Sequence, residues 1–438
     1  MNDVVIGVDG GTTAVKAVAF DLNGQIKASH HESVPVRYGA NGESEQDMAL
    51  LWEAVASCLR SVAEQVRGSR IVGIGLTGQG DGVWLVDADG EPVRPAANWM
   101  DGRAADRVDD WNFDGRGRAV LDVTGTTVFG GLFPVLYEEL AAAEPEAVAR
   151  ATSHLNCKDW IRFKLTGVRA TDFTEASRTF LDVATTSGYN EPLAEKLGLS
   201  EALKLLPEIR RPAGEASPVT EEAAEATGIP AGTPVGVGMI DVAVTGMGLG
   251  RIADGDSWLI LGTTGFVGTL LPSVAERRSE LSMVLATGEG TQVLEFMAPM
   301  TGTPNLDWIR STLGLEAQSW SEIEKMARAA GPGSHGVVYL PYASPGGERA
   351  PFLDTNASAS WQGMSLTSTR ADILRAVYEG VVFSLAECLN ALRITGPIVV
   401  SGGGFRSDLL CEILADVTAQ RVLRQDAPEA GARGAAVL

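Results

Sequence analysis

The stretch GTPVGVGMIDVAVTGMGLG, residues 232–250, is almost wholly small and apolar, yet Asp241 sits in its middle. Apolar neighbours strip water from a carboxylate and raise its pKa toward that of a useful general base. Asp is also a preferred helix cap, and Val242–Met247 can start a helix. Both roles stay open for Asp241, and neither excludes the other.

Asp9-Gly10-Gly11-Thr12-Thr13 leaves an apolar segment, Val-Val-Ile-Gly-Val, through two positions without side-chain bulk. Backbone N–H groups of Gly11 and its neighbours can approach a phosphate there, with the hydroxyls of Thr12 and Thr13 donating to it. Asp9 at the segment's end can hold Mg²⁺, an ion that prefers one or two carboxylates plus phosphate oxygens and water. An ordinary hairpin turn explains the same residues. A second copy, Gly262-Thr263-Thr264-Gly265, shifts the balance, because two such hairpins across a cleft can clamp one polyphosphate. The Asp belongs to the first copy alone, as a single metal site requires.

Ser401-Gly402-Gly403-Gly404-Phe405-Arg406-Ser407-Asp408 follows one apolar run and opens another. Gly403 and Gly404 can let a planar ring or a phosphate lie against the backbone, although a tight connection needs the same glycines. Thr77-Gly78-Gln79-Gly80-Asp81-Gly82 offers an amide and a carboxylate of the kind vicinal hydroxyls prefer. Asn98-Trp99-Met100-Asp101-Gly102-Arg103 adds an aromatic plate and an Asp/Arg couple. Singly these are a solvated turn and a surface ion pair; Gln79, Gly80, Asp81, Trp99, Asp101 and Arg103 together make a polyol-binding wall.

The elements that must position these residues follow from hydrophobic spacing. Residues 4–8 and 15–20 read as strands, Asp21–Gly24 as a hairpin turn, and 25–31 as a third strand. Met48, Leu51, Trp52, Val55, Leu59, Val62 and Val66 then recur at three and four, which predicts an amphipathic helix. A strand returns at 70–76. The meander's opening repeats at 258–270, so the chain reads as an α/β protein of two duplicated domains, each a mixed sheet flanked by helices. The expected division lies at 1–246 and 247–438, where Gly246, Gly248, Gly250 and Gly255 loosen the chain as a hinge. The second half adds strands at 336–340 and 398–400 and helices built on Ile373–Leu385 and Leu409–Val417.

A chain of 438 residues with 45% hydrophobic and 21% charged residues suits about two globular domains. Its net charge of −21 repels nucleic acid and anionic membranes, which leaves a small diffusible ligand as the expected partner. No stretch approaches the ~20 apolar residues that span a bilayer, and no basic segment precedes the first apolar run, so a cytoplasmic protein is expected. The four cysteines lack C-x-x-C spacing and the four histidines lack ligand or triad spacing, which speaks against zinc, redox and serine-hydrolase chemistry.

Taken in order, Asp9–Thr13, Gln79–Gly82, Trp99-x-Asp101-x-Arg103, Gly238–Asp241, Gly262–Gly265, Gly347-Glu348-Arg349-Ala350-Pro351 and Ser401–Asp408 resemble the FGGY carbohydrate kinases. KDWIRFKLTGVRATDFTEAS at 158–177 and RAVYEGVVFSLAECL at 375–389 extend the resemblance over nearly the whole chain. It implies the actin-like ATPase fold, two ribonuclease-H-like domains with an interdomain cleft. It further implies ATP and Mg²⁺ as cofactors and a small sugar or polyol as acceptor; the oligomeric state is left open, a homodimer among the alternatives. On that footing Asp241 takes the proton of the attacking hydroxyl. Gly11, Thr12, Thr13 and Lys16 would contact phosphates, with Asp9 near Mg²⁺. Gly262, Thr263 and Thr264 would give the second phosphate contact, and Gly403 and Gly404 with Asp408 the adenosine pocket. Gln79-Gly80-Asp81-Gly82 replaces the Gln-Met-His-Gly usual in D-xylulose kinases and looks more like the erythritol kinase and L-xylulose kinase branch. An actin-like ATPase without a sugar acceptor is the competing reading; ribulose, gluconate and glycerol are alternative substrates. The sequence ends at Gly434–Leu438 inside an expected helix near the adenosine pocket, where family members run on, so a shortened C-terminal half is expected.

Overall fold

The computed structural model describes residues 2–344, 347–354, 356–425 and 427–438. The meander forms as its spacing predicts, with β1 (Asp3–Gly10), β2 (Ala14–Asp21) and β3 (Ile26–Ser33) joined by antiparallel pairing. Helix α1 (Met48–Gln65) starts where the Asp47 side chain accepts the N–H groups of Ala49 and Leu50, and it buries Met48, Leu51, Val55, Leu59 and Val62 against the sheet. Strand β4 (Arg70–Gly78) then runs parallel to β1. Between β4 and the next strands of this sheet lies a helical lobe with its own core around Trp111, Phe133, Leu136 and Phe180, followed by α2 (Cys157–Thr166). The sheet is completed by β5 (Ala216–Pro218), β6 (Pro234–Gly236) and β7 (Met239–Ile240), and α3 (Asp241–Gly248) leaves it. Its order is β5-β6-β4-β1-β2-β3, with β7 also parallel to β4.

The second half repeats this plan. Strands β8 (Ser257–Leu261), β9 (Gly265–Leu271), β10 (Met283–Ala286) and β11 (Val293–Met297) precede α4 (Arg370–Ala391), and β12 (Ile398–Ser401), α5 (Asp408–Thr418), β13 (Val422–Arg424) and α6 (Ala430–Val437) follow. The order is β10-β11-β9-β8-β12-β13. Strands β8, β9, β12 and β13 thus stand where β1, β2, β4 and β7 stand in the first sheet. This is the duplicated α/β arrangement expected from the sequence.

The closing helix of each half packs on the other half. Helix α3 lies on the second sheet, where a Cβ at Gly246 would meet the Trp258 ring at 2.6 Å. Helix α6 lies on the first sheet, where side chains at Gly7 and Gly75 would collide with the carbonyls of Ala432 and Ala435. The two helices touch through Gly248 against the Ala430 carbonyl and Gly434 against the Val244 carbonyl. Two sequence expectations are corrected here. Gly246 and Gly248 are helical residues that admit a neighbouring ring and backbone, not loose hinge positions. Helix α6 packs on β1 and β4, away from the cleft at Gly403. Gly250 and Gly255 do lie in the connection and have positive φ, +69° and +84°.

Gly75→Ala puts a methyl inside the contact between β4 and α6, where both partners are backbone. The expected cost is about 3 kcal/mol of stability, read as a lowered urea midpoint with circular dichroism; an unchanged midpoint would mean that α6 does not need this close approach.

Candidate active site

Three parallel strands of the first sheet end side by side, and each end delivers a polar group. β1 ends on Asp9-Gly10, β4 runs into Gly78-Gln79, and β7 runs into Asp241, with register pairs Asp9↔Thr77 and Ile240↔Gly78. Ligands of α/β sheets bind beyond such carboxyl ends. In the second sheet β8 ends on Gly262-Thr263-Thr264 and its parallel neighbour β12 on the Gly402–Gly404 turn.

A cavity of about 190 Å³ opens between the two sheets, and Thr12, Gln79, Gly80, Asp81, Trp99, Asp241, Thr264 and Arg349 are among its lining residues. Thr12 and Thr264, one from each Gly-Thr-Thr hairpin, therefore face one space. The wall of the first half is held by a closed set of hydrogen bonds. Trp99 Nε1 donates to Thr12 Oγ1 at 3.0 Å, Thr12 Oγ1 to Gln79 Oε1 at 3.1 Å, and Gln79 Nε2 to Gln46 Oε1 at 2.7 Å. Gln46 Nε2 returns to the Thr12 carbonyl at 2.9 Å. Gly80 has no room for a side chain, since a Cβ would strike Ile240 and approach Glu175 Oε2 at 3.3 Å. Asp81 adopts φ +62°, an uncommon backbone state for a residue with a side chain, and Arg178 grips its carboxylate at 2.7 and 3.1 Å.

Asp241 is the first residue of α3, and its Oδ1 accepts the N–H of Val242 at 2.6 Å rather than reaching an N2 or N3 donor as a cap does. Burial raises its pKa to about 7; Asp9 adds to the rise, the Val242 N–H opposes it, and Asp81 adds further. Asp9 lies beside rather than in the cavity lining. Its carboxylate faces the first turn of α6, where a Cβ at Gly431 would meet Oδ2 at 2.6 Å. Burial raises the Asp9 pKa to about 6 against the pull of Lys16, with Glu429 pushing further up. Lys16 itself is bonded to Glu429 at 3.0 Å. Among the described residues no three His, Cys, Asp or Glu converge on one point, so a cation beside Asp9 would need phosphate and water for its other ligands.

Asp101 and Arg103 are placed elsewhere. Asp101 is 1% exposed and is consumed by the Ser44 N–H at 2.9 Å and by Arg103 at 2.8 Å. Arg103 and Arg94 converge on Glu45 at 2.7 and 2.6 Å. Burial works against the charge on Glu45, but Arg103 and Arg37 hold its pKa down to about 2. This network buttresses the loop that presents Trp99 and does not line the cavity. Residues that sequence reading passed over do line it: Phe129, Met283 and Phe296 supply apolar surface, and Arg178 directly follows a segment already singled out. The signal for Arg178 was its place one turn after Glu175; its partner Asp81 lies 97 residues away.

A second cleft, about 480 Å³, is lined by Thr303, Leu306, Trp320, Tyr378, Gly403, Gly404 and Asp408. A Cβ at Gly402 or Gly404 would strike Leu261, whereas nothing lies within 4 Å of one at Gly403, which leaves that peptide face open to the cleft. Asp408 accepts from Arg424 at 2.7 Å at the rim.

The chain matches the N-terminal domain of the FGGY family of carbohydrate kinases over residues 4–248 and its C-terminal domain over residues 258–438. It belongs to that family. An erythritol kinase of Brucella abortus is 34% identical over 463 residues, covering 100% of this chain and 86% of the relative. The L-xylulose/3-keto-L-gulonate kinase of Escherichia coli is 28% identical over 443 residues, covering 100% and 88%. The crystal structure of ligand-bound xylulose kinase from Lactobacillus acidophilus superposes with a TM-score of 0.92 at 26% identity, covering 99% of this chain and 88% of the other. This FGGY kinase is an ATP-dependent sugar or polyol kinase with the actin-like two-domain fold. No helix among its described residues is long and apolar enough to cross a membrane.

A carboxyl whose pKa is raised on folding favours the native state below its unfolded value near 3.8 and loses that contribution as pH rises through about 7. Asp241→Asn removes the loss. In the absence of nucleotide and divalent cation the variant is expected to melt roughly 1–3 °C above the parent at pH 8 and by a smaller margin at pH 5, where less of the loss has accrued. A variant that melts lower at pH 8 would show that Asp241 is not carrying an unfavourable buried charge.

Proposed function

We propose that the acceptor hydroxyl and the γ-phosphate of ATP meet in the cavity between the two Gly-Thr-Thr hairpins, with Asp241 as the general base. The hydroxyl oxygen attacks the γ-phosphorus, its proton passes to Asp241, the bond to the β–γ bridging oxygen breaks, and ADP leaves. The observation that carries this reading is Asp241, with a pKa near 7, in one space with Thr12 and Thr264 from opposite halves. A base poised near neutral pH combines a usable ionised fraction with useful proton affinity. Phosphoryl transfer asks mostly for positioning and charge neutralisation, which two hairpins and one aimed carboxylate supply.

The acceptor in this reading is a polyol or ketose of four or five carbons, of the erythritol or xylulose kind. Gln79, Asp81 and Trp99 would hold its hydroxyls and carbon face, and the names of the relatives point the same way. The wider cleft at Gly403, Gly404 and Asp408 would take adenosine, with Trp320 and Tyr378 as apolar surface. Thr13 and Thr263, exposed at the hairpin tips, would meet phosphate oxygens together with Gly11 and Gly262. Lys16 would do so only after leaving Glu429. Mg²⁺ would be held beside Asp9, the carboxylate at the end of β1, with phosphate and water as its other ligands; when bound it would neutralise phosphate charge. Reaction with cellular ATP, and three of the four cysteines buried as free thiols, fit a cytoplasmic setting.

A coupled assay of ADP release against erythritol, L-xylulose, D-xylulose, ribulose, ribitol and glycerol tests the substrate. At least one four- or five-carbon acceptor is expected to raise turnover about 100-fold or more over acceptor-free hydrolysis. Hydrolysis indifferent to every acceptor, with sedimentable polymer, would favour an actin-like ATPase instead. For the base, Asp241→Ala is expected to lower kcat by roughly 10²–10⁴ while nucleotide affinity by calorimetry stays within about threefold. Near-normal turnover in that variant removes Asp241 from the role.

A further inference from the structure

The motif Gly347-Glu348-Arg349-Ala350-Pro351 has so far no part in the reaction. Glu348, 1% exposed, accepts the Met300 N–H at 2.6 Å, the Thr301 N–H at 3.2 Å and the Thr301 hydroxyl at 3.0 Å. It also accepts the N–H groups of Arg349 and Ala350 at 2.9 and 3.3 Å. Its carboxylate is thus spent on fastening this loop to the segment after β11, and it makes no ion pair with the Arg349 side chain. Arg349 Nε donates to the Ala298 carbonyl at 2.6 Å, and neither Nη has a hydrogen-bond partner among the described residues. The guanidinium lines the cavity and lies 5.5 Å from the centre of the Trp99 ring, across the cleft from its own half.

The other arginine of the cavity is differently used. Arg178 is bidentate on Asp81 and donates to Thr126 at 3.1 Å, so its charge is already answered. Arg349 is a cation with two nitrogens uncommitted, and its anchors lead to both hairpins. On one side, Pro299, next to Ala298, accepts the Gly265 N–H at 3.1 Å. On the other, the Trp99 ring beneath it donates to Thr12 Oγ1 at 3.0 Å. The guanidinium therefore stands between the two Gly-Thr-Thr turns.

We propose that Arg349 is a catalytic residue of the transfer, its Nη groups donating to the non-bridging oxygens of the phosphoryl group as it passes from ATP to the acceptor. A polyol is neutral and offers a guanidinium no charge to answer; the phosphoryl group carries negative charge on three equatorial oxygens. A planar, permanently charged fork fits such oxygens, and a fixed donor in a narrow cleft is worth most where charge develops. The stem is held by Ala298 and Trp99 before substrate arrives, so little reorganisation remains to be done.

This assignment rests on the reading that transfer occurs beside Asp241, and the test separates the two. Arg349→Ala, Arg349→Lys and Asp241→Asn are assayed as full chains with the best acceptor, with KM measured for both substrates. Arg349→Ala is expected to lose about 10²–10³ in kcat, with acceptor and ATP KM within about threefold and the melting midpoint retained. Arg349→Lys is expected to lose at least about tenfold, and guanidinium ion at millimolar concentration to restore part of the kcat of Arg349→Ala but none for Asp241→Asn. Wild-type kcat in Arg349→Lys and no rescue of Arg349→Ala, or a loss confined to the acceptor KM, overturns the proposal. Inactive Asp241→Asn beside fully active Arg349→Ala removes the arginine alone, whereas active Asp241→Asn removes the reading of the site beneath it.

Discussion

The crossing of α3 and α6 is the contact on which the rest of the molecule depends. Each helix grows from the last parallel strand of one half and packs on the sheet of the other, so neither sheet is fully covered without its partner. The crossing is tight because Gly248 and Gly434 let backbone meet backbone, and Gly7 and Gly75 do the same between sheet and helix. Close packing of this kind has few alternative arrangements, because any added methyl must displace a carbonyl. The functional consequence is direct. Asp241 begins α3, and Gly431 in the first turn of α6 faces Asp9, so the contact that joins the halves also sets the two carboxylates beside each other.

A second constraint aims the end of β7. Lys158, fully buried, binds Asp159 at 2.5 Å and Asp172 at 2.9 Å. Asp172 accepts the Thr174 hydroxyl at 2.6 Å, and that hydroxyl accepts the Ile240 N–H at 3.0 Å, one residue before Asp241. From the other side Thr77 donates to the Met239 carbonyl at 2.8 Å. Removing one partner from a buried ion pair costs far more than the pair contributes. The network is therefore better understood as fixing geometry than as adding stability. It gives Lys158, Asp159 and Asp172 a structural part although none of them lines the cavity.

The parts of this architecture visible in the sequence are those encoded by local spacing. Two Gly-Thr-Thr turns between apolar runs give the duplicated hairpins, the three-and-four recurrence from Met48 gives α1, and a lone carboxylate among small residues marks Asp241. What escaped depends on partners far along the chain. Asp101 and Arg103 look like a site couple, yet Ser44 and Glu45, more than fifty positions earlier, decide that they are structural. Arg178 looks like a surface charge until Asp81 is brought to it. Gly246 and Gly248 fit a hinge by composition and a helix crossing in fact, because local sequence does not say whether a missing side chain serves mobility or close approach. The destination of α6 is likewise a tertiary fact, since Gly7 and Gly75 lie more than 350 residues before it.

The charges in and around the cleft also form an order that individual residues do not reveal. Asp81 is answered by Arg178, Glu45 by three arginines, and Asp172 by Lys158. Asp9 and Asp241, at the ends of β1 and β7, have pKa values raised by burial to about 6 and about 7, and neither makes an ion pair among the described residues. Arg349 is the complementary case, a cation that forms no salt bridge among the described residues, although Asp81 and Glu348 favour its charge from longer range. A chain of net charge −21 has no shortage of carboxylates with which to neutralise it. That Glu348, its own neighbour, spends both oxygens on backbone and hydroxyl donors is what leaves the arginine's charge for the substrate.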